Sequence, residues 1–185
     1  FFKLKSSLVN FKKYLTINTN SKNYLKMLKY LEYLIKNNLL DKKIIFEKIF
    51  KEKDLKQKND RVFYSKGKNV YPDNQLIWLL YLYAKVNDIL ICRLCLHKSD
   101  KNKINSMIMI HVTNQIVGPL RQHKKYIAYH IIFGYVQIVL NQKSKKKIFN
   151  LRSNGDNRNL LIPANEFRSI KSLYSPSIFL EIAEG

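Results

Sequence analysis

The residue with the clearest chemistry is Arg168, in the run LIPANEFRS at 160–168. Its guanidinium stays protonated at any reasonable pH and presents a planar fork of donors suited to a carboxylate or phosphate. Arg121 and Lys125 are the basic residues expected to help it hold an anionic ligand. Glu166 is the nearby carboxylate that would otherwise pair with it. Four histidines, His97, His111, His123 and His130, supply groups that titrate near neutrality. On a strand alternate residues share a face, so His130 sides with Ala128 and Ile132 and points away from Tyr129. The ordinary expectation for each histidine is a surface or hydrogen-bonded imidazole. Cys92 and Cys95 form one C-x-x-C without the second ligand pair that a zinc ribbon needs. Three residues apart on an extended chain they face opposite ways, so two small, half-buried thiols are expected rather than a redox pair.

The elements that must position these groups are short strands. Residues 129–140, YHIIFGYVQIVL, are rich in β-branched and aromatic types, with Gly134 as the place where a strand bends or is closely approached. Residues 107–111, 159–162 and 177–182 read the same way. Turn residues lie between them at 113–114, 154–156, 163–165 and 175–176, which predicts an antiparallel sandwich or barrel. Ahead of the strands, Leu25, Leu28, Leu31 and Ile35 recur at helical spacing, ending at Asn37-Asn38. A second short helix is expected from Asp41, with Ile44, Ile45, Ile49 and Phe50 as its buried stripe, and 51–58 as a helix end and linker. Asp73 caps a third over 74–85. Its apolar core, LIWLLYLYA, is far short of the ~20 residues of a membrane span, so Trp78 is expected as a core anchor.

The strand order and the spacing of a few residues resemble the WbuC-like family of cupins over residues 61–185. These are small jelly-roll proteins associated with bacterial O-antigen and other surface-polysaccharide gene clusters. The first cupin motif, H-x-H then E then G, falls on Leu120, Gln122, Ile127 and Gly134; the second, P-x-G-x-x-H, falls on Pro163, Asn165 and Arg168. Only the glycine and the first proline are kept. The resemblance also rests on the RLCLH run at 93–97, MIMIH at 107–111, Lys125, His130 and EIAEG at 181–185. It implies a mainly β, cupin-type antiparallel jelly roll, carrying a helical extension over 1–60 and a leading helix at 74–85. In the four ligand positions Leu120 and Ile127 have no donor atom, Gln122 is a weak neutral ligand, and Arg168 repels a metal and attracts an anion. The ancestral divalent transition-metal site is therefore expected to be lost, with no cofactor in its place.

What the resemblance implies about function is a sugar or nucleotide-sugar held in the barrel without metal, by Arg121, Gln122, Lys125 and Arg168. Two alternatives stay open. Metal-independent epimerases and ketoisomerases of the same superfamily use barrel histidine and tyrosine as base and acid, and His123 or His130 with Tyr129 or Tyr135 are the catalytic candidates on that analogy. The other alternative is a non-catalytic oligomerising or basic nucleic-acid-binding protein, with the N-terminal helices packing on the barrel or pairing protomers in a homodimer.

Composition bounds these readings. The 185 residues, 46% hydrophobic, can bury one ordinary core with an extension. A formal net charge of +21 would ordinarily raise nucleic acid or anionic membrane as partner. Only six of the 34 basic residues are arginine, and the abundance of Lys, Asn, Ile, Tyr and Phe matches AT-rich coding. Residues 1–60 hold fifteen lysines against six acids and residues 61–185 nineteen basic residues against seven. A charge spread so evenly makes nucleic acid an unexpected partner. The densest cluster, 143–147, is expected to be a solvated hairpin turn, with a polyanion contact as the alternative. Residues 1–15 carry lysines throughout and lack a signal-peptide pattern, so a cytoplasmic location with no transmembrane segment is expected.

Overall fold

A computed structural model describes residues 21–66, 72–99, 101–123, 125–142 and 145–184. Eight strands make a jelly roll: β4 (Ile104–His111), β5 (Ile116–Arg121), β6 (Ile127–Phe133), β7 (Tyr135–Gln142), β8 (Lys145–Arg152), β9 (Asn159–Ile162), β10 (Phe167–Ser172) and β11 (Ser177–Glu184). They pair as one folded ribbon, β4 with β11, β5 with β10, β6 with β9 and β7 with β8, all antiparallel. Pairing of β11 with β6 and of β10 with β7 rolls that ribbon into two facing sheets. Three earlier strands, β1 (Leu55–Asn59), β2 (Val62–Ser65) and β3 (Ile91–Cys95), extend the β4 edge. The result is a seven-stranded sheet, β1-β2-β3-β4-β11-β6-β9, against a four-stranded one, β5-β10-β7-β8.

Three helices, α1 (Ser21–Lys36), α2 (Lys42–Glu52) and α3 (Asn74–Val86), cover the outer face of the larger sheet. The Asp73 carboxylate caps α3 by accepting from Leu76 N at 2.6 Å. This helix lies between α1 and the sheet, so Leu76 to Leu80, Leu82 and Ala84 are all buried. It also forms the crossover that makes β2 and β3 run parallel. Glu32 of α1 binds Lys85 of α3 at 2.7 Å and Lys36 at 2.8 Å. The layers are therefore helices, seven-stranded sheet and four-stranded sheet, with one core on each side of the larger sheet. Strand β4 shows the consequence. Ile108 and Ile110 face the helices while Met109 and His111 face the other sheet, so residues 107–110 read as an apolar run rather than an alternating one.

Several expectations need correction. In α2 the buried residues are Ile45 and Phe46, with Phe50 half-buried, while Ile44 is 62% exposed. The reason is that Phe46 and Phe50 turn toward Tyr83 and Phe63 to build an aromatic cluster, with centroid separations of 4.7–5.2 Å across the helix–sheet contact. Residues expected as a linker form β1, which pairs with β2 across position 60. Lys145, Lys146 and Lys147 belong to β8 rather than to a turn. The long strand expected at 129–140 is two strands in different sheets, divided at Gly134. Expectations about residues 1–20 fall outside the described residues, and no helix among the described ones is long and apolar enough to cross a membrane.

Gly134 carries the chain from one sheet to the other at φ +84°, where a Cβ would lie 2.5 Å from the carbonyl oxygen of Pro176. Both the torsion and the close approach select glycine. Gly134→Ala should therefore cost on the order of 2 kcal/mol or more, read as a lowered urea midpoint. An unchanged midpoint would show that the crossing relaxes freely.

Candidate functional site

Alternation along β6, β10 and β11 projects Tyr129, Arg168 and Glu181 into the space between the sheets, where they are 1%, 2% and 9% exposed. Arg168 Nε donates to the Tyr129 hydroxyl at 2.7 Å. Glu181 stands opposite Tyr129 in the β6–β11 register. Burial pushes the phenol pKa far above its usual value; the Glu181 charge pushes the same way, and Arg168 pulls back only in part. Tyr129 is thus a neutral phenol between a cation and a carboxylate. A guanidinium tolerates so dry a position only when its charge is paired and its donors are used.

A second polar group lies toward the opposite end of the interior. His111 is fully buried, with Nδ1 bonded to Ser172 Oγ. Burial, with the positive charge of Arg93, lowers its pKa to about 4. Its Nε2 has no hydrogen-bond partner among the described residues. Phe179 fills the gap between the two groups, its ring 5.1 Å from His111 and 6.0 Å from Tyr129, edge-on to both. His111, Phe179, Tyr129 and Arg168 make a continuous column of side chains through the interior.

The four positions of the ligand frame distribute as follows. Ile127 is buried at 2% exposure on the inner face of β6. Leu120 is 38% exposed and opposite Arg168 in the β5–β10 register. Gln122 follows β5, with its Oε1 buried and unpartnered among the described residues, while its backbone oxygen accepts from Asn165 N at 2.9 Å. Two alkyl side chains, one amide and one guanidinium are not a donor set for a divalent transition metal. Among the described residues no three His, Cys, Asp or Glu side chains gather as a metal-ligand set.

The other expected site residues are dispersed. Arg121 faces outward, its guanidinium 4.9 Å from the Phe167 ring centroid, because neighbours on a strand point to opposite sides and Leu120 takes the inner one. It does not stand beside Arg168. His123 is exposed and Lys125 half-buried in the link between β5 and β6. His130 lies exposed on the outer face of β6, its Nδ1–H donating to Asn159 Oδ1 at 2.7 Å. Tyr129 is on the inner face, so the sheet separates this histidine from that phenol. Tyr135 donates to Asn150 Oδ1 at 2.8 Å on the outer side of the smaller sheet. Cys92 and Cys95 are both buried, more deeply than expected, and form no disulfide, and burial pushes the Cys92 thiol up to about 12.

Glu181, His111 and Ser172 went unread as partners of this interior. One signal for Glu181 was present: in SIFLEIAE the alternate positions are Ser177, Phe179, Glu181 and Ala183, a carboxylate set within a stripe of small and apolar residues.

No family model matches the chain, and no curated protein matches it. Solved structures of similar fold include the cupin domain of Schizosaccharomyces pombe Cnp3, at 12% identity over 51% of this chain and 64% of that one, with a TM-score of 0.43. A cupin superfamily protein of Desulfitobacterium hafniense aligns at 16% identity over 51% of this chain and 76% of that one, TM-score 0.42. A mutant of Bacillus subtilis oxalate decarboxylase aligns at 19% identity over 45% of this chain and 22% of that one, TM-score 0.38. The class defined by the strand pairing is a mainly β, cupin-type jelly roll with a helical N-terminal part.

Two outcomes follow from the interior. Arg168→Ala leaves the buried Tyr129 hydroxyl without its Nε donor and a cavity beside it, and should cost about 3 kcal/mol, measured by chemical denaturation; a loss near zero would mean that the guanidinium contributes nothing to the fold. For His111, the folded pKa near 4 lies below the ordinary 6.5, so the unfolded chain binds the proton first as pH falls. The stability is fully present above pH 6.5 and is lost toward pH 4, by on the order of 3 kcal/mol. Urea midpoints across this window should fall with pH in the native protein, and His111→Phe should flatten the upper part of that slope, above the carboxylate range.

Proposed function

We propose that this chain is a non-catalytic cupin, a scaffold whose barrel interior serves as protein core rather than as a reaction chamber. The observation that carries this reading is the column of His111, Phe179, Tyr129 and Arg168 along the interior. The acid–base alternative needs a histidine and a tyrosine that reach one bound substrate. His130 and Tyr129 lie on opposite faces of a sheet, and His123 is exposed in a link. The phenol of Tyr129 is already engaged by Arg168, and burial together with Glu181 holds its proton.

A second reading is favoured by the end of the barrel where Leu120, Gln122 and Arg168 meet. There the unpartnered amide oxygen of Gln122 and the nearby guanidinium suit a hydroxylated, anionic ligand. Together with the WbuC-like spacing of the sequence, this supports a sugar or nucleotide-sugar of surface-polysaccharide synthesis as that ligand, bound without metal.

A panel of nucleotide-sugars, with and without divalent metals, separates the two. The scaffold reading expects no saturable shift in melting temperature, no solvent deuterium entering any sugar by NMR, and metal far below one per chain by elemental analysis. A saturable, metal-free shift that Arg168→Lys weakens would replace it with the sugar-binding reading. Deuterium incorporation, or stoichiometric metal, would overturn both.

A further inference from the structure

The jelly roll divides its charges between its two sheets in a one-sided way. Strands β4, β6, β9 and β11 hold no lysine or arginine and two acids, Glu181 and Glu184. Strands β5, β7, β8 and β10 hold no acid at all. Besides the inward Arg168 they carry six exposed cations: Arg121, Lys145, Lys146, Lys147, Arg152 and Lys171. The larger sheet is covered on both faces over much of its extent, which accounts for the lack of basic residues on those four strands. The lack of acids on the open face of the smaller sheet has no such cause. With 34 basic residues to 13 acidic ones, a solvated face of this chain would carry one acid to every two or three cations. Three of the six arginines also fall on these four strands, in a chain that otherwise prefers lysine.

The face has a definite order. At one end the Arg152 guanidinium lies 4.5 Å from the Tyr135 ring centroid. At the other the Arg121 guanidinium lies 4.9 Å from that of Phe167. Arg168 pairs with Leu140, so Phe167 stands about six residues along the ladder from Tyr135, roughly 20 Å. Between the two capped rings are Lys171 opposite Gln137 and Lys146 opposite Asn141, with Gln137 Nε2 donating to Asn150 Oδ1 at 3.2 Å.

We propose that this open face of the four-stranded sheet binds single-stranded nucleic acid, whatever the barrel interior does. Lys146 and Lys171 follow the phosphates, and the two guanidinium planes, backed by their rings, add their charge and stack on unpaired bases. A duplex fits poorly, because its readable major groove admits a helix or a two-stranded ribbon rather than a broad sheet. An acidic polysaccharide would engage the lysines but offers no π-face to the two arginines.

The test is fluorescence anisotropy of the full chain with a labelled single-stranded RNA of mixed sequence, alongside its duplex and heparin as competitor. The single strand should bind more tightly than the duplex, with a log–log salt slope of about −3 for four neutralised phosphates. Lys146→Glu with Lys171→Glu should weaken binding more than about tenfold and roughly halve that slope. Lys42→Glu with Lys43→Glu, an equal charge change on exposed α2 residues, should change affinity less than about twofold if the face is specific. Arg121→Lys with Arg152→Lys keeps the charge and loses the planes, and should weaken the single strand while sparing heparin. Equal losses in the α2 control, tighter binding of duplex or heparin, or indifference to the arginine-to-lysine changes would each overturn the proposal.

Discussion

Much of the larger sheet is buried on both sides, and the rest of the structure depends on that constraint. Strands β4 and β11 pair in unbroken register from Ser177 opposite His111 to Glu184 opposite Ile104. Over most of this ladder one face meets the helices and the other meets the smaller sheet. A strand so placed has few positions for solvated polar groups. Any polar side chain that enters the inner face must find its partner there, because an unmet polar atom in such a place costs about 1–3 kcal/mol. Tyr129, Arg168 and Glu181 meet that condition by facing one another, and His111 meets half of it through Ser172.

The same condition governs the residues that stand at the positions of the cupin ligand frame. Once Ile127 takes a position of the metal frame, it packs as core at 2% exposure. Once Arg168 takes the last position, its Nε donor is taken by a phenol from β6, which itself stands opposite a carboxylate of β11. An alternative account of the same residues, in which the polar cluster is the floor of a ligand site, needs a path to Arg168 past Leu120.

Much of the architecture was legible in the chain. The helical stripe with Leu28, Leu31 and Ile35, the cap at Asp73 and the strands rich in β-branched residues all stand where periodicity put them. The outward direction of His130 followed from simple alternation. What misled was local ambiguity. Residues 129–140 look like one strand because nothing in YHIIFGYVQIVL tells the two sheets apart; only the +84° torsion at Gly134 and the approach of Pro176 do so. Ile44 and Phe46 are equally apolar in one dimension, and the aromatic cluster with Tyr83 chose between them. Lys145 to Lys147 read as a turn because their charges hid a strand whose partner, β7, supplies the hydrogen bonds.

By itself the sequence determined the class of the fold, the helix capped by Asp73, the alkyl side chains of Leu120 and Ile127, and an excess of cations that looks uniform along the chain. Those are properties of residue type and short-range spacing, which the backbone's few allowed conformations turn directly into helix and strand. The pairing of Arg168 with Tyr129 opposite Glu181, and the sorting of the cations of the jelly-roll strands onto one sheet, were decided only in three dimensions. Both join strands far apart in the chain through antiparallel register and the alternation of faces. A linear count averages over the two sheets, and their separation is what makes a uniform charge one-sided.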